Sequence, residues 1–265
     1  FSAFLEFLEI KEVKIDKESL YKTELKVKIK KYFEDYLTQG GMPEYLIYHD
    51  SELLSRVYED TVIKDIAVRH KVENIVVLKQ LYLYLISNSA NKFSLNSLKQ
   101  FTNINSVNTI KKFINYLEET YFAKTIGKFD YSFKKQIISN KKFYILDNGF
   151  IEILSKKLSE DKGCLLENLV FINLTKDKEV FYYSEKKECD FIVVKNRNVT
   201  QVIQVCYDLH DDNREREISG LLEAMKQFKL KEGLILTNNQ EEEIKLEHKK
   251  IIVKPVWKWL LENEI

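Results

Sequence analysis

The sequence predicts an α/β protein: a helical N-terminal part followed by a domain built on a central mixed sheet. Three observations carry this. Beyond residue 160 the apolar pattern runs helix, three short strands, helix, two strands. Between 77 and 146 three closely spaced helical stripes are followed by two strand-like runs. The chain is 265 residues long with 45% apolar residues and few Gly (7) or Pro (2), so it can fill two cores with mostly regular structure.

In chain order, Phe1, Phe4, Leu5 and Leu8 lie at helical spacing, and a Lys/Glu-rich surface stretch runs to about Lys30. Phe33, Tyr36 and Leu37 restore the helical period, and Gly40-Gly41 stops it, since Gly tolerates the left-handed conformation beyond a helix end. Met42-Pro43-Glu44 opens a new element, Pro being accepted in a first turn. Leu53, Leu54, Val57, Val62 and Ile66 predict one long helix ending near Arg69-His70. Residues 1–75 are thus read as a helical segment.

Leu78, Leu81, Tyr82 and Leu85 form the first stripe of the next unit, 76–160; Ser94 caps a second helix with Leu95, Leu98 and Phe101, and Ser106 a third with Val107, Ile110, Ile114 and Leu117. Strands follow at Ala123–Phe129 and Phe143–Leu146, joined by a loop-like, Lys-rich stretch. Helix-turn-helix followed by a hairpin describes a winged helix. Between 123 and 142 six lysines, Lys142 among them, face the single acid Asp130, so the wing is read as locally basic. Asn108, Thr109, Lys111, Lys112, Lys134 and Lys135 are the candidate DNA contacts, because phosphate binding needs cations and donors on one face. A net charge of +1 gives no global field, so any such contact is local.

The boundary is expected near 155–162, and 161–265 forms the sheet domain. Its first helix, Gly163 to Lys176, carries Glu167; Asp190 falls in the strand Glu188–Lys195 and Gln204 in Val199–Tyr207. A helix acid and a strand acid can converge on one point, and Gln204 can add an oxygen, the hard donor set that a divalent metal needs for phosphodiester hydrolysis. Alternation along the strand puts Gln204 and Cys206 on one face. Arg214 and Arg216 open the second helix, where they can lend positive charge near the acids.

These residues resemble the PD-(D/E)XK nuclease fold, in the branch that includes archaeal Holliday junction resolvases. Over about residues 1–265, the stretches Tyr36-Leu37-Thr38-Gln39-Gly40-Gly41-Met42-Pro43-Glu44, Leu166-Glu167-Asn168, Glu188-Cys189-Asp190-Phe191 and Gln204-Val205-Cys206-Tyr207-Asp208 resemble the C-terminal half of archaeal and bacterial AAA+ ATPases of the DUF4143 group. The resemblance implies Glu167, Asp190 and Gln204 as catalytic residues and as ligands of Mg²⁺. It also implies a DNA partner, double-stranded or branched, and ATP bound by a domain upstream of Phe1. Cys206 stands where active nucleases carry Lys, and losing one preorganised cation costs on the order of 10²–10³ in rate. At most a weak Mg²⁺-dependent endonuclease is implied. The competing reading is a non-enzymatic interaction module on a degenerate nuclease fold, with a protein partner or a second copy.

Residues 1–265 contain no Gly-rich loop ending in Lys-Ser/Thr. Three cysteines without paired zinc spacing and no apolar run of about 18 residues lead to the expectation of a reduced, cytoplasmic compartment and no membrane. The start at Phe1, without Met, leads to the expectation of a fragment.

Overall fold

The computed structural model describes residues 4–15, 23–155, 161–175, 178–246 and 248–264. Helix and sheet are mixed, as the α/β reading expects. Phe1 and most of the expected 155–162 boundary fall outside the described residues.

The larger sheet has six strands: β4 (Glu179–Ser184), β5 (Glu188–Lys195), β6 (Asn198–Val205), β7 (Glu232–Thr237), β8 (Glu242–Leu246) and β9 (Lys249–Pro255). Their order is β4-β5-β6-β7-β9-β8. The β6–β7 and β7–β9 pairs are parallel and the others antiparallel. Helices α10 (Lys162–Leu174) and α11 (Asp211–Gln227) cover its two faces. Gly220 lets α11 close on the sheet, because a Cβ there would lie 2.0 Å from the Glu188 carbonyl oxygen.

The N-terminal helices α1 (Phe4–Ile10) and α2 (Thr23–Gln39) pack into the sheet domain, and α2 also meets the middle of the chain where Asn148 Nδ2 donates to the Leu37 carbonyl at 2.7 Å. Phe4, Phe7, Phe33 and Leu37 enter the same core as Leu166, Phe171 and Ile203, together with Trp257 and Leu260 of α12 (Val256–Glu264). The span 1–75 therefore serves two cores. Glu34 of α2 fastens the joint by accepting from Tyr207 Oη at 3.2 Å and Asn238 Nδ2 at 2.6 Å.

After α3 (Pro43–Tyr48), the chain builds a middle unit with its own core, from Leu54 to Leu154. The expected helix through 53–70 is α4 (Ser51–Asp60) continued by a π-helical stretch, Thr61–Val68. Then come α5 (Ile75–Ser87), β1 (Lys92–Phe93), α6 (Leu95–Thr102), α7 (Val107–Glu119), β2 (Ala123–Gly127), α8 (Phe133–Ile138), β3 (Lys141–Ile145) and α9 (Asn148–Leu154). Strands β1 and β2 flank β3 in a small antiparallel sheet. Ser94 caps α6 as expected, whereas Ser106 precedes α7 without a side-chain bond. The stretch between β2 and β3 holds helix α8 rather than only loop.

The Gly40-Gly41 motif has a structural purpose. Gly40 sits at φ +75° and Gly41 N–H donates to Asp147 Oδ2 at 2.7 Å, while the other carboxylate oxygen accepts from Gly149 N–H and caps α9. Burial pushes Asp147 up to about 6, against the pull of those two donors. The folded chain therefore holds this proton more tightly than an ordinary Asp, and the group's contribution to stability falls as pH rises from about 4 to 6. Gly40→Ala is expected to destabilise by about 3 kcal/mol in urea unfolding, since it adds a left-handed alanine and an overlap with a fixed carboxylate. The added Cβ would lie 1.9 Å from Asp147 Oδ1.

Candidate functional site

Glu167, Asp190 and Gln204 all line one cleft of about 740 Å³, bounded by the start of α10, the β4–β5 turn, the end of β6 and the start of α11. Asp161 seats α10 by accepting from Cys164 N–H at 3.1 Å, and Glu167 follows one turn later. Asp190 owes its direction to a bulge. The β4–β5 register shifts between Phe181 and Tyr183, so Cys189 and Ile192 both pack under α11, while Phe191 packs under α10. Asp190, between Cys189 and Phe191, is thereby aimed at Glu167. Bulges re-aim side chains in this way.

What joins the two acids is Lys142. Its Nζ donates to Glu167 Oε1 at 2.9 Å and Asp190 Oδ1 at 3.0 Å, and lies 3.0 Å from Glu188 Oε1. An ammonium has three protons, and here three carboxylates receive them. The Lys142 side chain is 4% exposed and is absent from the cleft walls, so it reaches the acids from beneath. Tyr144, two residues on along β3, donates to Glu167 Oε1 at 2.7 Å. Asp190 Oδ2 accepts from Val205 N–H at 2.9 Å.

The charges follow from this packing. Burial alone would lower Lys142, but Glu167, Tyr144, Asp190 and Glu188 together raise it well above the ordinary lysine value, so it stays an ammonium. Burial raises Glu167, and the Asp190 charge adds to it against the pull of Lys142 and Tyr144. Burial also opposes ionisation of Glu188, yet Lys142 and Lys92 hold it below its ordinary value.

Lys142, one of the six lysines that make the wing locally basic in sequence, points inward, because residues two apart share a strand face and Tyr144 is fully buried against the sheet domain. Lys128 is also engaged, with Glu185 at 2.6 Å. Sequence reasoning missed Lys142 as a site residue, although the strand period in Lys141-Lys142-Phe143-Tyr144-Ile145 was the available signal.

Gln204 goes elsewhere. It lies between Ile203 and Val205, which pack under α10, so alternation turns it towards α11 with Cys206. There its Nε2 donates to Glu217 Oε2 at 2.7 Å, and its Oε1 accepts from Asp190 N–H at 3.3 Å. Cys206 accepts from Asn213 Nδ2 at 3.4 Å, and burial, with Glu217, pushes its thiol up to about 11. It is a thiol and not a thiolate at neutral pH. Arg214 pairs with Glu242 at 2.6 Å and Arg216 with Glu217 at 2.6 Å; Arg216 also lines the cleft, where its charge acts on Asp190 without an ion pair.

Mg²⁺ requires oxygens about 2.0–2.1 Å from the ion. The oxygens of Glu167, Glu188 and Asp190 that converge do so on an ammonium nitrogen at 2.9–3.0 Å, longer than bonds to Mg²⁺. Among the described residues no group of three His, Cys, Asp or Glu side chains has the arrangement of a metal centre.

The candidate DNA contacts lie on the middle unit. Asn108, Lys111 and Lys112 are exposed on α7 and Thr109 is half-buried; Lys134 and Lys135 are exposed on α8. A groove of about 610 Å³ separates the two helices, with Asn108, Lys111 and Asn115 on one wall and Ile137, Ile138 and Lys141 on the other. None of the described helices is long and apolar enough to cross a membrane.

Residues 30–161, from α2 to the start of the sheet domain, match a domain of unknown function, DUF8612. The chain is 33% identical over 97% of its length to the uncharacterized protein MJ1544 of Methanocaldococcus jannaschii, and 27% identical over 98% to an uncharacterized protein of Haemophilus influenzae. It spans 61% and 63% of those two relatives, so similarity extends through both the middle unit and the sheet domain, and each relative has further sequence outside the match.

Proposed function

We propose that this chain is the DNA-handling part of a larger AAA+-type ATPase, in which the middle unit, a winged helix, grips double-stranded or branched DNA. The PD-(D/E)XK-like sheet domain serves as a rigid base that does not cleave. The observation that carries the DNA reading is the groove between α7 and α8, with Lys111 on one wall and Lys141 on the other, and with Lys112, Lys134 and Lys135 exposed on the two helices that border it. Cations on a helix that flanks an open groove suit phosphate contacts. The non-cleaving reading is supported by Lys142, which satisfies the acids that a nuclease would leave for metal and water. ATP binding belongs to sequence beyond this chain; the relatives' unmatched two-fifths leave room for such a domain.

Titration with four-way-junction and linear duplex DNA at two salt concentrations tests the reading. Binding should weaken with salt, and Lys111→Ala combined with Lys112→Ala should reduce the salt slope by about 2. Absence of binding, or binding indifferent to salt, would overturn it.

A further inference from the structure

The insertion between β2 and β3 holds a helix that the rest of the chain does not explain. None of the six residues of α8 is buried. Phe133 is 74% exposed and Ile138 72%, and Tyr131 just before them is 77% exposed. Six residues are too few to form a stable helix alone, and in proteins an apolar face normally supplies the missing stability. Here the insertion is held at its root. Phe129 N–H donates to the Tyr182 carbonyl at 2.7 Å, and Tyr182 Oη donates to the Asn140 carbonyl at 2.8 Å, so both ends are clamped to one residue of β4. Within it, Ser132 N–H and Gln136 Nε2 donate to Asp130. The result is a braced tip with an exposed aromatic and aliphatic surface, on which Tyr131 rests edge-on against Phe129 with ring centroids 5.3 Å apart.

Its surroundings indicate the partner's chemistry. Lys134 and Lys135 are exposed on the same short helix, Lys135 lying 3.7 Å from Asp130, while Lys111 lines the groove from α7 with Lys112 exposed beside it and Glu118 in the same groove. Burial, opposed by Glu118 and helped by Lys111, holds Lys141 below the ordinary lysine range. A partner that offers both negative charge and flat apolar faces matches this mixture. The concave groove beside the tip, lined by Asn96, Asn108, Asn115 and Asn140, suits base edges and excludes a planar bilayer.

We infer that the tip from Tyr131 to Ile138 recognises unpaired bases at a boundary between double and single strand, with Tyr131 and Phe133 stacking on them and Lys134 and Lys135 on the flanking phosphates. This rests on the DNA reading and narrows it to a substrate. Stacking on exposed aromatic rings tolerates any sequence, because every base has a π-face.

The test titrates the whole chain with a blunt duplex, with the same duplex carrying a single-stranded tail and 2-aminopurine at the boundary, and with phosphatidylserine vesicles. The tailed duplex should bind roughly tenfold more tightly than the blunt one, with quenching of the 2-aminopurine. Tyr131→Ala combined with Phe133→Ala should remove both the preference and the quenching while leaving blunt-duplex affinity unchanged. Neither side chain is buried, so thermal unfolding of the variant should match the parent. Equal affinity for the two DNAs, or a preference that survives the double substitution, would overturn the inference and leave the DNA reading standing. No binding to either DNA would sink both. Vesicle binding lost in the double variant, without preference for the tail, would assign the tip to a membrane surface and overturn the inference.

Discussion

Lys142→Met is expected to lower folding stability by about 3–5 kcal/mol at neutral pH, because removing one partner of a buried ion cluster leaves the others uncompensated. The side chain it replaces is 4% exposed and neutralises carboxylates that are 14%, 33% and 8% exposed. The pH dependence separates lost charge from lost packing. In the parent chain Glu188 is held below its ordinary value, so its contribution is present above that value and is lost as pH falls. In the variant Glu167 loses the ammonium that pulls it down and Glu188 keeps only Lys92, so their folded-state values rise and the folded chain gains protons more readily than the unfolded one. The two stability curves should therefore converge as pH falls from 7 towards about 5. Urea unfolding at both pH values measures this, and a deficit that stays constant or widens would refute the ion-cluster account.

Asn168→Ala should cost about 4 kcal/mol, the sum of several buried groups left without partners at about 1–3 kcal/mol each. Asn168 is fully buried where α10 meets the middle unit. Its Oδ1 accepts from Ser89 Oγ at 2.8 Å and Ile145 N–H at 3.0 Å, and its Nδ2 donates to the Ile145 carbonyl and to Asn148 Oδ1, both at 2.8 Å. That uses the full capacity of an amide. A carboxylate could not reproduce the two donations, so Asn168→Asp should be worse than alanine at neutral pH and should recover in part on acidification. A loss below about 1 kcal/mol for Asn168→Ala, measured by urea unfolding, would show that the network is not what holds the two units together.

Much of this architecture is legible in the residues, and the gaps have physical causes. Apolar stripes in α5, α7 and α11 and the continuous run in β7 reveal their elements, because one buried face or two leaves a pattern. Strand β8 leaves none: its Glu242 and Glu243 are exposed, and it is held at the sheet edge by its ladder with β9. Helix α8 buries nothing and so shows no stripe. At the site, the separate positions of Glu167 and Asp190 suggest convergence, but a bulge in β5 and a lysine from another part of the chain decide what they converge on. Gln204 was placed on the face of Cys206 by alternation; that this face looks towards α11 depends on sheet order, which a single strand does not encode.

The packing of α1 and α2 against α12 also imposes an order of events. Phe4 and Leu260 belong to one core, whereas the middle unit between them is closed by its own neighbours. During synthesis the middle unit can collapse as soon as it emerges and α2 can settle against α9 and then α10, but α1 must wait for α12, more than two hundred residues later, with only α2 to cover Phe4 and Phe7. Pulse proteolysis on nascent chains should find the middle unit protected first, with α1 cut until α12 arrives. The earliest part of this chain to be made would be the last to be secured.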